Sequence, residues 1–295
     1  FVPDDVGRWS FGVSFRTGPD IALTGDPAAG SGTAFDGATG TLEIAPSDKT
    51  GRDHRAKGML KYVGKRYLQF AETGEYFIKG GADSPENFLA YADFDDTYDA
   101  GELKREGEAA GDKFIHHYSP HVKDWRPGDP TWKSSGPPVG DGKGKGMIGA
   151  LNYLASKGMN SVYFIPSNID GGDGKDVWPW TNPQEKYRFD CSKLDQWEIV
   201  FSHADKLGLM LHIITQETEN DQGLDGGELG PQRKLYYREL IARFAHHLAV
   251  TWNLGEENTN TTEQQKAFCR YIKDLDPYDH PVVCHTYPGQ YDKVY

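Results

Sequence analysis

The chain has 295 residues, of which 13% are aromatic and 26% charged, and its formal net charge is −12. This length allows a barrel-sized domain with a smaller domain attached to it. The negative charge disfavours nucleic acids and anionic membrane surfaces as partners, because both would repel the protein. A neutral or cationic ligand is easier to accommodate. No apolar run approaches the roughly 20 residues that cross a bilayer.

The sequence pattern of residues 1–72 predicts β structure without long helices. Short apolar stretches alternate there with clusters of Gly, Pro, Asp and Thr, and residues 57–78 resemble a hairpin with turns at Gly64 and Gly74. We interpret residues 1–72 as the remnant of an all-β sandwich domain with a connecting hairpin. The chain begins at Phe1 in a strand-like context, which indicates a piece of a longer protein.

From residue 146 the apolar period changes from that of strands to that of helices. Met147, Leu151 and Leu154 share one helical face, and Gly158 follows as a helix stop. Helices and strands then alternate to residue 285. Helices are predicted to begin at residue 146, at Ser192 as the N-cap of a helix that stops at Gly208, at residue 231 with an end near residue 248, and at residue 262. Strands are predicted over residues 76–82, 161–165, 209–214, 249–254 and 281–284.

Most of these strands are continuous apolar runs, which are typical of parallel strands buried on both faces. Five such strands fit either a barrel or a doubly wound sheet. No glycine-rich phosphate loop follows any of them, because the glycines at residues 171–174 lack a strand-turn-helix context. We therefore predict that residues 73–295 form the first five strands of a (β/α)8 TIM barrel, with an insertion at about residues 84–145.

Active sites of such barrels lie at the carboxyl ends of the strands. The predicted strand ends carry acids, amides and indoles and almost no Lys or Arg. These groups suit a carbohydrate, because they bind hydroxyls and stack on sugar rings. Each acid alone could equally be a solvated loop residue or a helix cap, so the prediction depends on their convergence. The candidate substrate-binding residues are Asp83, Asn87, Asn168, Trp178, Trp180, Glu217, Glu256, His285 and Tyr287.

The most specific segment is residues 250–258, which read Val-Thr-Trp-Asn-Leu-Gly-Glu-Glu-Asn. Trp252 to Glu257 resembles the fourth-strand motif of the clan-A glycoside hydrolases, Trp-x-Leu-x-Asn-Glu, whose last residue is the general acid/base. The resemblance implies that Glu257 is the catalytic acid/base. Glu256 stands where the clan has an asparagine that contacts the sugar 2-hydroxyl, so we expect Glu256 to position the sugar.

The resemblance extends over most of the chain. Residues 77–87, 172–180 and 216–221 are similar to a family of secreted bacterial proteins described as glycoside hydrolases. In that family a β-sandwich domain precedes the barrel, and some members carry a collagen-binding domain at the far C-terminus. The resemblance implies a retaining glycosidase located outside the cell or in the periplasm. A barrel needs eight strands and the clan's nucleophile follows the seventh, so we expect this chain to lack the nucleophile.

Two other classes of function stay open. One is a non-catalytic barrel that binds a glycan or the extracellular matrix, and the other is a metal-dependent hydrolase, which uses the same kinds of side chain. We predict no cofactor or metal, although calcium is an alternative at residues Asn168, Asp170, Asp173 and Asp176, whose spacing misses the EF-hand pattern by one position. His246 and His247 are interpreted as packing and solvated side chains. The sequence does not indicate the sugar, the linkage or the oligomeric state.

Overall fold

A computed structural model describes residues 2–3, 5–100, 115–133, 142–169, 171 and 175–289. Its contacts divide the chain into two units, Phe1–Lys49 and Thr50–Tyr295. This division lies earlier than the boundary predicted at residue 72. The reason is that the predicted hairpin packs with the second unit, where the Leu60 amide donates to the Leu248 carbonyl at 2.8 Å. Of the predicted insertion, residues 101–114 and 134–141 lie outside the described part.

The first unit contains four described strands: β1 (Gly7–Gly12), β2 (Arg16–Thr17), β3 (Ser31–Gly32) and β4 (Thr39–Ile44). β1 pairs antiparallel with β4, and β2 pairs antiparallel with β3. The Arg16 guanidinium donates to the carbonyls of two residues beside β3, Ala29 at 2.6 Å and Gly30 at 2.9 Å. None of the residues described in this unit is buried, and the β-sandwich stays a prediction.

Strands and helices alternate through most of the second unit. The described strands are β5 (Leu60–Lys61), β6 (Leu68–Phe70), β7 (Tyr76–Phe77), β8 (Gly81–Ala82), β9 (Ser161–Phe164), β10 (Met210–Ile214), β11 (Val250–Asn253) and β12 (Val282–Val283). The described α-helices are α1 (Lys145–Ser156), α2 (Cys191–Leu207), α3 (Pro231–Phe244) and α4 (Thr262–Leu275). No helix in the described ranges combines the length and apolarity that crossing a membrane requires.

Strands β8 to β12 form one parallel sheet in which each strand lies beside its predecessor in the chain. A doubly wound sheet reverses its strand order at a switch point, whereas a barrel keeps the order sequential. The observed order therefore agrees with the predicted barrel, and the prediction of five parallel strands is confirmed. Strands β5, β6 and β7 form a separate antiparallel sheet.

The prediction of one strand over residues 76–82 is wrong, because the chain changes sheets between β7 and β8. Asn160 accounts for the break. Its side-chain oxygen accepts the Gly80 amide at 2.7 Å, and its side-chain nitrogen donates to the Ile78 carbonyl at 2.9 Å. These contacts occupy backbone groups that a continuous strand would use in a ladder.

The two faces of the parallel sheet differ in chemistry. One face packs on the helices and contributes to the main apolar core with Val162, Phe164, Leu211, Ile213, Val250 and Trp252. The opposite face carries polar side chains. The rings of Tyr163 and His212 lie 4.9 Å apart, and Asn253 Nδ2 lies 3.2 Å from His212 Nε2. The inner face of the sheet therefore carries the polar groups of Tyr163, His212 and Asn253 beside the buried Ile165 and Ile214.

Helix ends agree with the predictions to within a few residues. Helix α2 ends at Gly208, which has a φ of +69°, as predicted. Its N-cap is Asp190, which accepts the Lys193 amide at 3.0 Å, and not Ser192 as the sequence suggested. Helix α3 ends at Phe244, four residues before its predicted end at residue 248.

Candidate active site

The carboxyl ends of β10 and β11 bring two predicted acids together. Glu217 and Glu256 face each other in an isolated parallel bridge beyond the two strands. The Glu256 amide donates to the Gln216 carbonyl at 2.9 Å, which extends the pairing of the strands into their loops. Neighbouring strands lie about 5 Å apart, so both side chains start from adjacent points on this edge.

Glu256 is held by a tyrosine and a histidine. The Tyr163 hydroxyl donates to Glu256 Oε2 at 2.9 Å, and His285 Nδ1 lies 3.1 Å from that hydroxyl and 3.5 Å from Glu256 Oε1. Burial, with the charge of Glu256 next, raises the pKa of Tyr163. The phenol therefore stays protonated at neutral pH and gives a charge-assisted hydrogen bond that orients the carboxylate. Tyr163 was not among the predicted residues, and the signal for it was a polar group on the inward side of an apolar strand.

Glu217 belongs to a second, buried group. Its side chain is 5% exposed, and its Oε2 accepts the Asn168 side-chain amide at 2.7 Å. Asn220 donates to Asn168 Oδ1 at 3.1 Å and accepts the Ile169 amide at 2.9 Å. The loops that follow β9 and β10 are thus joined by side-chain amides, which bring the predicted residues Asn168 and Glu217 into contact.

Glu257 differs from Glu256 in its backbone. It has a φ of +43°, a left-handed conformation that is uncommon for a residue other than glycine, asparagine or aspartate. The Thr218 hydroxyl donates to the Glu257 carbonyl and lies 3.1 Å from the Tyr287 hydroxyl. Thr218, which the sequence analysis did not select, therefore links the predicted residues Glu257 and Tyr287. The Glu257 side chain is half-buried.

Three polar side chains, Lys79, His212 and Asn253, lie in contact with one another along the inner face of the sheet and lead towards these residues. Lys79 Nζ lies 2.9 Å from His212 Nδ1. Burial, with the charge of Lys79 next, lowers the pKa of His212 to about 3, so the imidazole is neutral at pH 7. At the upper end, Asn253 Oδ1 accepts the amides of Gly255 and His285, each at 3.2 Å. Asn253 therefore fixes the ends of β11 and β12 against each other.

A buried arginine supports the loop after β10. Arg233 on α3 is 0% exposed and donates to the Asp221 carbonyl at 2.7 Å and to the Gln216 side chain. Asp221 Oδ2 accepts the Thr259 hydroxyl at 2.8 Å and the Thr259 amide. Arg233 and Asp221 thus connect the loops after β10 and β11. Asp221 is one of the acids at the predicted strand ends, whereas Arg233 was not predicted.

Two predicted stacking residues are buried instead of lining an open cleft. Trp178 is 1% exposed and Trp180 is 0% exposed, and both belong to the main apolar core. Tyr98 meets Trp178 edge-on at 5.1 Å, and Tyr236 lies 5.6 Å from Trp180. The predicted stacking role is not supported, because neither indole presents a free face.

Two further predicted residues occupy the rim around the first strand. Asn87 is buried, donates to the Lys175 carbonyl at 3.1 Å and lies 2.8 Å from His116 Nε2, so it ties loops together. Asp83 is exposed just after β8. Its charge contributes to the raised pKa of Tyr163, which associates it electrostatically with the site.

The calcium alternative is not tested by the structure. Asp170 and Asp173 lie outside the described residues. Asp176 Oδ1 accepts the Ala100 amide at 3.0 Å, and burial raises the pKa of Asp176.

Comparisons with known proteins identify the fold. No family model matches the sequence, and no curated protein is significantly similar to it. Among solved structures, the chain is similar to a protein from Bacteroides vulgatus described as a "putative glycoside hydrolase", with a TM-score of 0.58 and 17% identity over 97% of this chain and 46% of that one.

Two other solved structures have lower scores. A family 5 glycoside hydrolase from Bacteroides vulgatus gives a TM-score of 0.36 at 16% identity, over 48% of this chain and 31% of that one. An endo-1,4-β-mannanase from Rhizomucor miehei gives 0.35 at 13% identity, over 48% of this chain and 51% of that one. The chain spans less than half of the first structure. At 17% identity that first likeness shows the fold alone, which is a mixed α/β fold with a five-stranded parallel sheet that agrees with part of a TIM barrel.

Proposed function

We propose that this chain carries the acid/base half of a retaining glycoside hydrolase site that cleaves O-glycosyl bonds of an oligosaccharide or polysaccharide. The observation that carries the proposal is the pair Glu256 and Glu257 at the carboxyl end of β11, beside Glu217 from β10. The described neighbours of these acids are amides, hydroxyls and imidazoles, which form hydrogen bonds with neutral sugars. The fold shared with the first Bacteroides structure supports the same proposal.

Glu257 is the proposed proton donor. It would protonate the leaving oxygen and then remove a proton from the attacking water. The contacts of the two acids support this division of labour. The Glu256 carboxylate accepts a hydrogen bond from Tyr163, whereas the bond from Thr218 reaches the backbone carbonyl of Glu257 and leaves its carboxyl group for a substrate. Unusual backbone conformations held by neighbouring contacts cluster at functional sites, and the φ of Glu257 is one such case.

The remaining residues have proposed binding roles. Hydrogen bonds to sugar hydroxyls are assigned to Asp83, Asn168, Glu217, Glu256, His285 and Tyr287. In a retaining enzyme the nucleophilic carboxylate lies about 5 to 5.5 Å from the acid/base, and we assign it to a barrel strand beyond β12. Polymeric substrates of this kind also suit the proposed location outside the cell or in the periplasm.

The proposal is tested with a protein that contains this chain together with three further βα units. The purified protein is incubated with a panel of neutral oligosaccharides, and the anomeric configuration of the first product is followed by NMR. We expect hydrolysis with retention of configuration, insensitive to a chelator.

Each rival function predicts a different result in this experiment. Binding without cleavage would support a non-catalytic glycan-binding barrel. Activity that a chelator abolishes and a divalent metal restores would support a metal-dependent hydrolase. Inversion of configuration would overturn the retaining mechanism but would still support glycosidase activity.

A further inference from the structure

A cluster of two histidines and a glutamate lies at the end of the sheet opposite the proposed active site. Glu198 belongs to α2, and His246 and His247 follow α3 and precede β11. Because the strands are parallel, the segments that enter them lie at the edge opposite their carboxyl ends. One donor atom from each of the three side chains lies within 4.8 Å of the others.

The distances suit a small divalent ion. Glu198 Oε1 lies 3.2 Å from His246 Nε2, and Glu198 Oε2 lies 3.1 Å from His247 Nε2. In a tetrahedral zinc site with bonds of about 2.0 to 2.2 Å, neighbouring donor atoms lie about 3.3 Å apart. Glu198 thus presents one carboxylate oxygen to each histidine, at separations close to those between neighbouring donors of a tetrahedral ion.

The surroundings orient the donors as they do in known metal sites. His247 Nδ1 lies 2.7 Å from Asp205 Oδ2, which leaves its Nε2 directed at Glu198. A metal-bound histidine usually donates its other ring N–H to such a carboxylate. Ser202 donates to Glu198 Oε1 at 2.8 Å, and Asp205 Oδ1 lies 3.0 Å from His54 Nδ1. Hydrogen bonds with Ser202 and Asp205 therefore hold the side chains of Glu198 and His247 in place.

Access and burial also fit a bound ion. His247 is 1% exposed and fixed, whereas the side chains of His246 and Glu198 are 21% and 33% exposed. The exposed side gives an ion a route of entry and leaves a fourth coordination position for water. Imidazole and carboxylate ligands favour zinc and its neighbours over magnesium and calcium, which prefer oxygen ligands alone.

We propose that Glu198, His246 and His247 bind one divalent transition-metal ion of the zinc class. The ion joins α2 to the segment after α3 and stabilises the second unit. Its position at the amino-terminal side of the strands assigns it to stability and not to the chemistry of the opposite edge.

The experiment uses the chain purified without a polyhistidine tag. Zinc is titrated in by calorimetry, and the metal content is measured after dialysis. We expect about one zinc ion per chain and a rise in Tm that a chelator reverses. His246→Gln should weaken zinc binding at least about tenfold and abolish the rise in Tm, while circular dichroism shows an unchanged fold. His121→Gln is the matched control, because His121 is a partly exposed histidine paired with Asp124 at 3.0 Å.

Two results would overturn the site. The first is the absence of stoichiometric zinc binding, which would leave the cluster as an ion-pair network between histidines and carboxylates. The second is unchanged zinc affinity in His246→Gln. If His246→Gln does not fold, Glu198→Gln takes its place, and the same loss of zinc affinity is required of it.

Discussion

Replacing Arg233 with methionine should destabilise the second unit strongly. The guanidinium is fully buried, and it donates to the carbonyls of Asp221 at 2.7 Å and Glu228 at 3.1 Å and to the Gln216 side chain. It also lies 4.6 Å from the centre of the Phe268 ring. Methionine keeps much of the apolar stem but donates no hydrogen bond, so the change isolates the role of the guanidinium.

The expected magnitude follows from the acceptors left behind. A buried acceptor that loses its donor costs about 1 to 3 kcal/mol. The guanidinium has four acceptors, because it also donates to the Leu224 carbonyl at 3.3 Å. Partly rehydrated in the variant, these acceptors give a loss of about 3 to 5 kcal/mol in the free energy of unfolding. That is a large share of the 5 to 15 kcal/mol that is typical of a domain.

Urea unfolding followed by circular dichroism measures this loss. Arg243→Met is the matched control on the same helix, because Arg243 pairs with Asp195 at 2.8 Å and Glu239 at 2.6 Å near the surface, where the side chains of all three are at least 25% exposed. Such pairs are worth about 1 kcal/mol or less. Equal losses in the two variants, or a gain in stability in Arg233→Met, would refute the reasoning. A gain would mean that burying the charge costs more than its hydrogen bonds return.

Three smaller predictions concern a buried histidine, a tyrosine and a helix cap. Burial lowers the pKa of His203 from 6.5 to about 4. The neutral imidazole therefore contributes up to about 3 kcal/mol to the free energy of unfolding above pH 6.5, and this contribution is lost as the pH falls towards 4. His203→Gln, which can still donate to Asn152, should lose less stability between about pH 7 and pH 4.5 in urea titrations; an unchanged pH profile would contradict this. Tyr163→Phe should lower kcat/KM of the longer protein about tenfold through the lost hydrogen bond to Glu256, and wild-type kinetics would remove Tyr163 from the site. Asp190→Ala should lower the free energy of unfolding by about 1 kcal/mol and Asp190→Asn by much less, whereas equal losses would show that the cap acceptor is not the cause.

Much of the second unit could be predicted from local patterns. The apolar period, together with stops such as Gly208, located four helices and the strands between them. The errors arose where a distant side chain decides the backbone. Asn160 separates β7 from β8, and Asp190 caps α2 in place of Ser192. Neither contact leaves a periodic signal in the sequence.

The candidate site was predictable to the extent that parallel strands align their carboxyl ends. That rule places Glu217 beside Glu256 and brings His285 and Tyr287 to the same edge. It does not reveal Tyr163, which lies within an apolar strand, or Arg233, which lies on a helix. It also misplaced Trp178 and Trp180, because residue type alone does not separate an indole that packs in the core from one that lines a cleft.

The central claim is that Glu257, and not Glu256, is the general acid. It is tested most directly by comparing Glu257→Gln with Glu256→Gln in the longer protein, on aryl glycosides with good and poor leaving groups. Loss of a general acid costs about 100-fold to 10,000-fold where the leaving group needs protonation, and little where it does not. We expect that dependence on the leaving group in Glu257→Gln, and a loss of similar size on both substrates in Glu256→Gln. The reverse pattern, or full activity of Glu257→Gln on the poor leaving group, would contradict the assignment.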